Sequence, residues 1–194
     1  MITTNMIIEA MDLLSGKRRL FWSEADFQFS LAQVLRCVVP NGAQIYLERP
    51  IANIMEAMQE DNNSTNRKKC YIDIWIHHDG KVYPIELKYA TKESKVVDYD
   101  GQIIQTVDQL ANDITRFGYL YDIHRIEQIK NFLTKAEGSK FGRGFAIILT
   151  NDHNYYNKPN RDISKTLDAK FRLHCGATPP KKVEWTYEKE VSPK

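Results

Sequence analysis

Apolar and polar residues alternate between Tyr71 and Tyr89 in two runs, YIDIWIHH and KVYPIELKY, on either side of Asp79-Gly80. A period of two marks a strand with one face in the core, and Asp-Gly tolerates the positive φ angles of a two-residue turn. The pattern predicts a β-hairpin whose register follows from the turn: His78 faces Lys81, Ile76 faces Tyr83, Ile74 faces Ile85 and Asp73 faces Glu86. Ile72, Ile74, Ile76, Ile85 and Leu87 then share one face, and Tyr71, Asp73, Trp75, Glu86 and Lys88 the other.

Elsewhere the period lengthens to that of a helix. A short helix is expected from about Asn5 to Leu14, ended by Ser15-Gly16 and followed by the basic run Lys17-Arg18-Arg19. Ser23 and Asp26 form a capping-box-like pair at the start of a second helix, whose inward stripe is Phe27, Leu31, Val34, Leu35 and Val38 and whose end is Pro40-Asn41-Gly42. Gln44 to Ile51 has strand composition. Ile54 to Met58 reads as strand or short helix, Gln59 to Lys69 as a polar loop, and Thr91 to Gly101 as a charged connection. Ile103, Val107, Leu110, Ile114 and Phe117 predict a helix from Gln102 to Phe117, and Asp122 is a suitable cap for another that ends near Glu137-Gly138. Gly144 to Thr150, GFAIILT, reads as a strand buried on both faces. Val183, Trp185 and Tyr187 alternate with polar residues and suggest a late edge strand. The order helix, three strands, helix, strand predicts an α/β fold with a mixed central sheet flanked by helices.

Composition narrows the picture only slightly. The 194 residues suit one domain, with a core at about residues 23–150 and an extension at about 151–194. A net charge of +2, with 42% hydrophobic and 27% charged residues, is ordinary for a soluble protein. No apolar run is long enough for a membrane span and no signal peptide is seen, so a cytoplasmic location without membrane contact is expected. Cys37, Cys70 and Cys175 lack metal-site spacing and read as reduced, partly buried thiols. Basic character is concentrated between Asn154 and Lys182, where seven Lys and Arg face two Asp. Lys158, Arg161, Lys165, Lys170 and Arg172 are the candidate nucleic-acid contacts there.

The chemistry lies on the hairpin. Opposed residues have Cβ atoms about 4.5–5.5 Å apart, and like charges so placed destabilise a sheet unless something neutralises them. Asp73 and Glu86 offer hard oxygen ligands, and Lys88 extends over the same face, so a divalent cation such as magnesium or manganese suits the site. Glu24 falls on the inward stripe of its helix, where it either favours the positive end of the helix dipole or reaches this site, and Gln28 lies one turn on.

Asp73, a gap of a dozen residues, and then Glu86-Leu87-Lys88 resembles the signature of the PD-(D/E)xK nuclease superfamily, although Ile72 stands where that signature has proline. The resemblance covers about Ser23 to Thr150 and implies the restriction-endonuclease-like αβββαβ core. It also implies a magnesium-dependent phosphodiesterase, a deoxyribonuclease of endonuclease type, with manganese able to substitute. Asp73, Glu86 and the backbone carbonyl of Leu87 would hold the metal, while Lys88 and Glu24 would assist the attacking water. By the same resemblance, Gln105 or Gln109 on the following helix would line the site and the products would carry 5′-phosphate and 3′-hydroxyl ends. DNA is the expected partner, and a cut across both strands would favour a homodimer. Two rivals stand beside this reading: a catalytically silent member of the same fold that binds nucleic acid or protein, and an interaction protein in which Lys88 merely pairs with Asp73 or Glu86.

Overall fold

The computed structural model describes residues 1–51, 54, 71–108, 112–135, 140–160 and 162–178. Four strands form a mixed sheet: β1 (Gln44–Pro50), β2 (Tyr71–His78), β3 (Lys81–Ala90) and β6 (Phe145–Thr150), in the order β1-β2-β3-β6. The first three run antiparallel to their neighbours, and β6 lies parallel to β3. Between β3 and the last helix a separate hairpin pairs β4 (Ser94–Val97) with β5 (Ile103–Thr106).

Helix α1 (Thr4–Ser15) starts one residue before the expected Asn5, and α2 (Glu24–Val38) starts where the sequence places its cap. Thr3 accepts from the Met6 N–H and Ser23 accepts from the Asp26 N–H, each meeting one donor that the first helical turn leaves over. Phe27, Leu31, Val34 and Leu35 of α2 pack with Ile74, Ile76, Ile85 and Leu87 in the main core. Ile72, expected on that same face, packs instead with Ile51, Trp75, Val82 and Ile129, where pairing of β2 with β3 has already ended.

The helix α3 (Asn112–Lys135) corrects the expectation on three counts. Residues 103–106 are a strand, because Asp100 and Gly101 (φ 83°) turn the chain and Ile104 is buried opposite Val96. Gln105 is therefore an exposed residue of β5 facing Lys95, not a helical residue lining a site, and Gln109 lies outside the described residues. Asp122 does not cap a new helix; α3 continues through Gly118, and Asp122 is buried in its middle.

β6 is also less enclosed than GFAIILT implies. All six of its residues are half-buried, and among the described residues the strand sits at the sheet's edge with only β3 beside it. Cys37 and Cys175 are unpaired thiols, exposed rather than partly buried. Among the described residues no helix is long and apolar enough to cross a membrane. The expected late strand at Val183 to Tyr187 and the segment from Met55 to Lys69 lie outside the described residues.

Candidate active site

The hairpin has the register that Asp79-Gly80 dictates. Both turn residues have positive φ (51° and 68°), and the ladder runs from His78 opposite Lys81 to Ile74 opposite Ile85. One step further in that register sets Asp73 beside Glu86, and there the backbone pairing stops.

Two β3 amides that face β2 have lost their ladder partners and find carboxylates instead. The Leu87 N–H donates to Asp73 Oδ2 at 2.6 Å, and the Tyr89 N–H donates to Glu24 Oε2 at 2.8 Å. Amides two residues apart in a strand point the same way, so one side of β3 draws Asp73 from β2 and Glu24 from the start of α2 towards the same edge. The inward placement of Glu24 thus brings it to the site. Asp26, on the other side of the helix, pairs with Arg18 at 2.8 Å.

Gln28 belongs to the same construction. Its Nε2 donates to the Asp73 carbonyl and to Glu48 Oε1, both at 2.7 Å. The β1-β2 ladder skips Glu48, whose φ is 49°, while Leu47 opposite Ile74 and Arg49 opposite Ile72 keep their register. Glu48 therefore lies across from Asp73 on the side away from Glu86. No sequence signal marks it, because β1 and β2 lie far apart in the chain and no short turn dictates their register.

Two further residues come from α3. Arg125 Nη2 is 2.5 Å from Glu86 Oε1 and 3.0 Å from Asp122 Oδ1, and Lys88 Nζ is 3.0 Å from Asp122 Oδ2. Lys88 is thus paired with Asp122 rather than with Asp73 or Glu86. Glu86 is 1% exposed, and its Oε2 is buried with no hydrogen-bond donor among the described residues.

Burial and crowding show in the proton affinities. Burial pushes Glu86 up to about 9, with the charges of Asp73 and Asp122 adding to it and Arg125 opposing it. Asp73 and Glu24 are also raised, chiefly by burial, although each accepts a backbone amide that acts the other way. For Lys88, burial disfavours the ammonium, but Asp122, Glu24 and Asp73 outweigh it and hold the group above its usual value. The empty arrangement is therefore a neutral Glu86 and a firmly charged Lys88 at neutral pH.

A divalent cation meets matching donor chemistry at Asp73 and Glu86: neighbouring carboxyls, one with a buried oxygen lacking any donor. Among the described residues, no three His, Cys, Asp or Glu side chains are gathered into a ready cation site. The remaining ligands would have to come from backbone, water or substrate.

Of the basic residues expected to touch nucleic acid, Lys158, Lys165 and Lys170 are exposed, and Arg161 lies outside the described residues. Arg172 is turned inward towards Asp168 at 3.8 Å, with only 10% of its side chain exposed, and is thereby removed from that set. No family model matches the chain, and neither the curated proteins nor the solved structures include a match.

Proposed function

We propose that this chain is a metal-dependent nuclease of the restriction-endonuclease-like kind, cutting phosphodiester bonds in DNA at the splayed end of β2 and β3. The observation that carries the reading is the meeting of Asp73 and Glu86, two carboxyls of raised proton affinity, beside Lys88 and Glu24. Structural acids have no need to be crowded in this way: burying like charges together costs stability that a ligand must return.

Magnesium, or manganese in its place, bound by Asp73, Glu86 and the Leu87 carbonyl would lower the pKa of a water and polarise the phosphate. Lys88, held protonated by Asp122, is suited to stabilise negative charge developing on phosphate oxygens and to orient the water, not to take its proton. Glu24 holds the Tyr89 amide and so fixes the edge of β3 next to Lys88. Asp73 does the same at Leu87, keeping that residue's carbonyl in place. Gln28 holds the Asp73 backbone from behind.

A second reading draws on the ion pairs from α3. Arg125 already reaches Glu86 and Asp122 already occupies Lys88, which is what a silent member of the fold would keep. Incubation with plasmid and single-stranded DNA in Mg²⁺, Mn²⁺ or EDTA separates the two. The nuclease reading expects cleavage that EDTA abolishes and that Asp73→Asn and Lys88→Ala both lose. Binding without metal-dependent cleavage would favour the silent member.

A further inference from the structure

Beside the N-terminus of α2 lies a cavity of about 550 Å³, lined by Lys17, Trp22, Tyr99 and Gln102 among others. Trp22 stands two residues before Glu24, so one short piece of backbone links the cavity wall to a residue of the candidate active site. Trp22 and Tyr99 are 59% and 57% exposed, which is unusual for two large aromatic side chains lining one hollow.

The charges around it divide by role. Arg18 is consumed structurally: it pairs with Asp26 at 2.8 Å and with Asp98 at 3.3 Å, and Asp98 also accepts from the Arg19 N–H. Asp26 further accepts from the Trp22 N–H and Asp100 from the Gln102 N–H, so these carboxylates are engaged with the wall of the cavity. The Arg19 guanidinium lies over the Tyr99 ring at 4.8 Å and backs it. Lys17 is exposed and makes no ion pair among the described residues. What the hollow presents is therefore two aromatic surfaces with one unengaged ammonium at the rim, Asp26 and Asp98 paired with Arg18, and an exposed Asp100 that accepts one backbone amide. The basic run Lys17-Arg18-Arg19 thus splits into a rim contact, a wall and a ring support.

We propose that this cavity binds an unpaired nucleotide of the substrate strand, its base stacking on Trp22 and Tyr99 and its phosphate meeting Lys17. Every base has a π-face, so such a site accepts any sequence but requires a base freed from pairing. A duplex keeps its bases stacked inside. The assignment rests on the nuclease reading and sharpens it: the substrate is single-stranded, or carries an unpaired segment next to the bond to be cut.

The test is fluorescence anisotropy with the full chain in EDTA, which stops metal-dependent cleavage, using a labelled twelve-residue oligothymidylate. Its controls are the same oligomer with abasic sites and a blunt duplex. Trp22→Ala and Tyr99→Ala should each weaken oligothymidylate binding by about tenfold or more, the cost of losing one stacked base. Trp22→Phe should restore most of it, and the abasic oligomer should bind wild type and variants alike. Circular dichroism checks that the variants are folded, and the Phe variant keeps the test meaningful if Ala perturbs the helix start. Equal binding of oligothymidylate and abasic oligomer to the wild type would overturn the assignment, as would unchanged affinity in both Ala variants, preference for the blunt duplex, or thymidine monophosphate binding as tightly as the oligomer. Cleavage in Mg²⁺ is scored separately. A base-dependent affinity lost in Trp22→Ala but unaccompanied by cleavage would leave the binding site standing and remove the nuclease.

Discussion

Asp152 and Glu86 are both buried carboxyl groups near α3, and their protons are held in opposite ways. Burial opposes ionisation of Asp152, yet the Asn154 N–H, the side chains of Asn112 and Asn154 and the charge of Lys92 together hold it below its ordinary value. Its neighbourhood is built of paired charges: Arg116, 2% exposed, reaches Asp168 and donates to the Asn154 carbonyl at 2.9 Å, and its guanidinium lies over the Tyr155 ring. Around Glu86 the acids Glu24, Asp73 and Asp122 have, among the described residues, Lys88 and Arg125 between them, and burial wins. One cluster fastens the segment after β6 to α3. The other is left short of positive charge, which is what a site awaiting a cation requires.

The largest contrast should be in stability. Arg116→Met leaves Asp168 buried with its main partner gone and should cost about 3–5 kcal/mol in urea unfolding. Glu86→Gln, which copies the shape of the protonated acid, and Asp73→Asn, which removes a crowded carboxylate, should leave the protein as stable as wild type or more so. A large loss in Glu86→Gln would erase the distinction between the two clusters.

The pH dependence sharpens it. Glu86 ionises near its ordinary value of 4.5 in the unfolded chain and at about 9 in the folded one. Below the lower value both forms carry the proton and nothing is lost. As pH rises between the two, the unfolded chain ionises first and stability falls, by up to about 1.4 kcal/mol per pH unit, levelling off above the upper value. Thermal unfolding across pH 5 to 9 (roughly this window) should show that decline in wild type and a flatter profile in Glu86→Gln. Identical slopes would mean that Glu86 is not the group concerned.

A smaller shift is expected at Lys88. Burial disfavours its ammonium, and Asp122 is foremost among the charges that outweigh it, so Asp122→Asn should move the Lys88 pKa downward. NMR titration of the lysine side chain reads this directly, and no movement would place Asp122 outside the electrostatics of the site. Least of all, and only in nucleic-acid affinity, neutralising the exposed Lys158, Lys165 and Lys170 together should reduce the log–log salt slope by about one to three units. Arg172→Ala, which touches the Asp168 cluster, should lower stability more than it alters that slope.

What the sequence made legible is what local chemistry encodes. Asp79-Gly80 fixed the hairpin, and with it the meeting of Asp73 and Glu86; Ser23 fixed the start of α2, and with it the position of Glu24. The misread helix at Gln102 had apolar residues at helical spacing, and the turn at Asp100-Gly101 was the overlooked signal that two strands meet there. Arg125 left no mark, and Asp122 was legible only as a helix cap, not as a partner of Lys88. Their partners Glu86 and Lys88 are more than thirty residues away in sequence, and only the packing of α3 on β3 brings them together. Glu48 was hidden for a related reason, since a long stretch of chain separates β1 from β2 and no short turn in the sequence dictates their register.

The central claim is that Glu86 and Asp73 form an incomplete site completed by a divalent ion, and calorimetric titration with Mn²⁺ in two buffers of different ionisation enthalpy tests it most directly. With Glu86 pushed up to about 9, the empty site carries a proton at neutral pH that the cation must expel. The account predicts saturable binding at pH 7 (roughly midway between the ordinary and folded values of Glu86), release of about one proton per ion, and loss of both in Glu86→Gln. No uptake by the wild type, or uptake unchanged in Glu86→Gln, would contradict it.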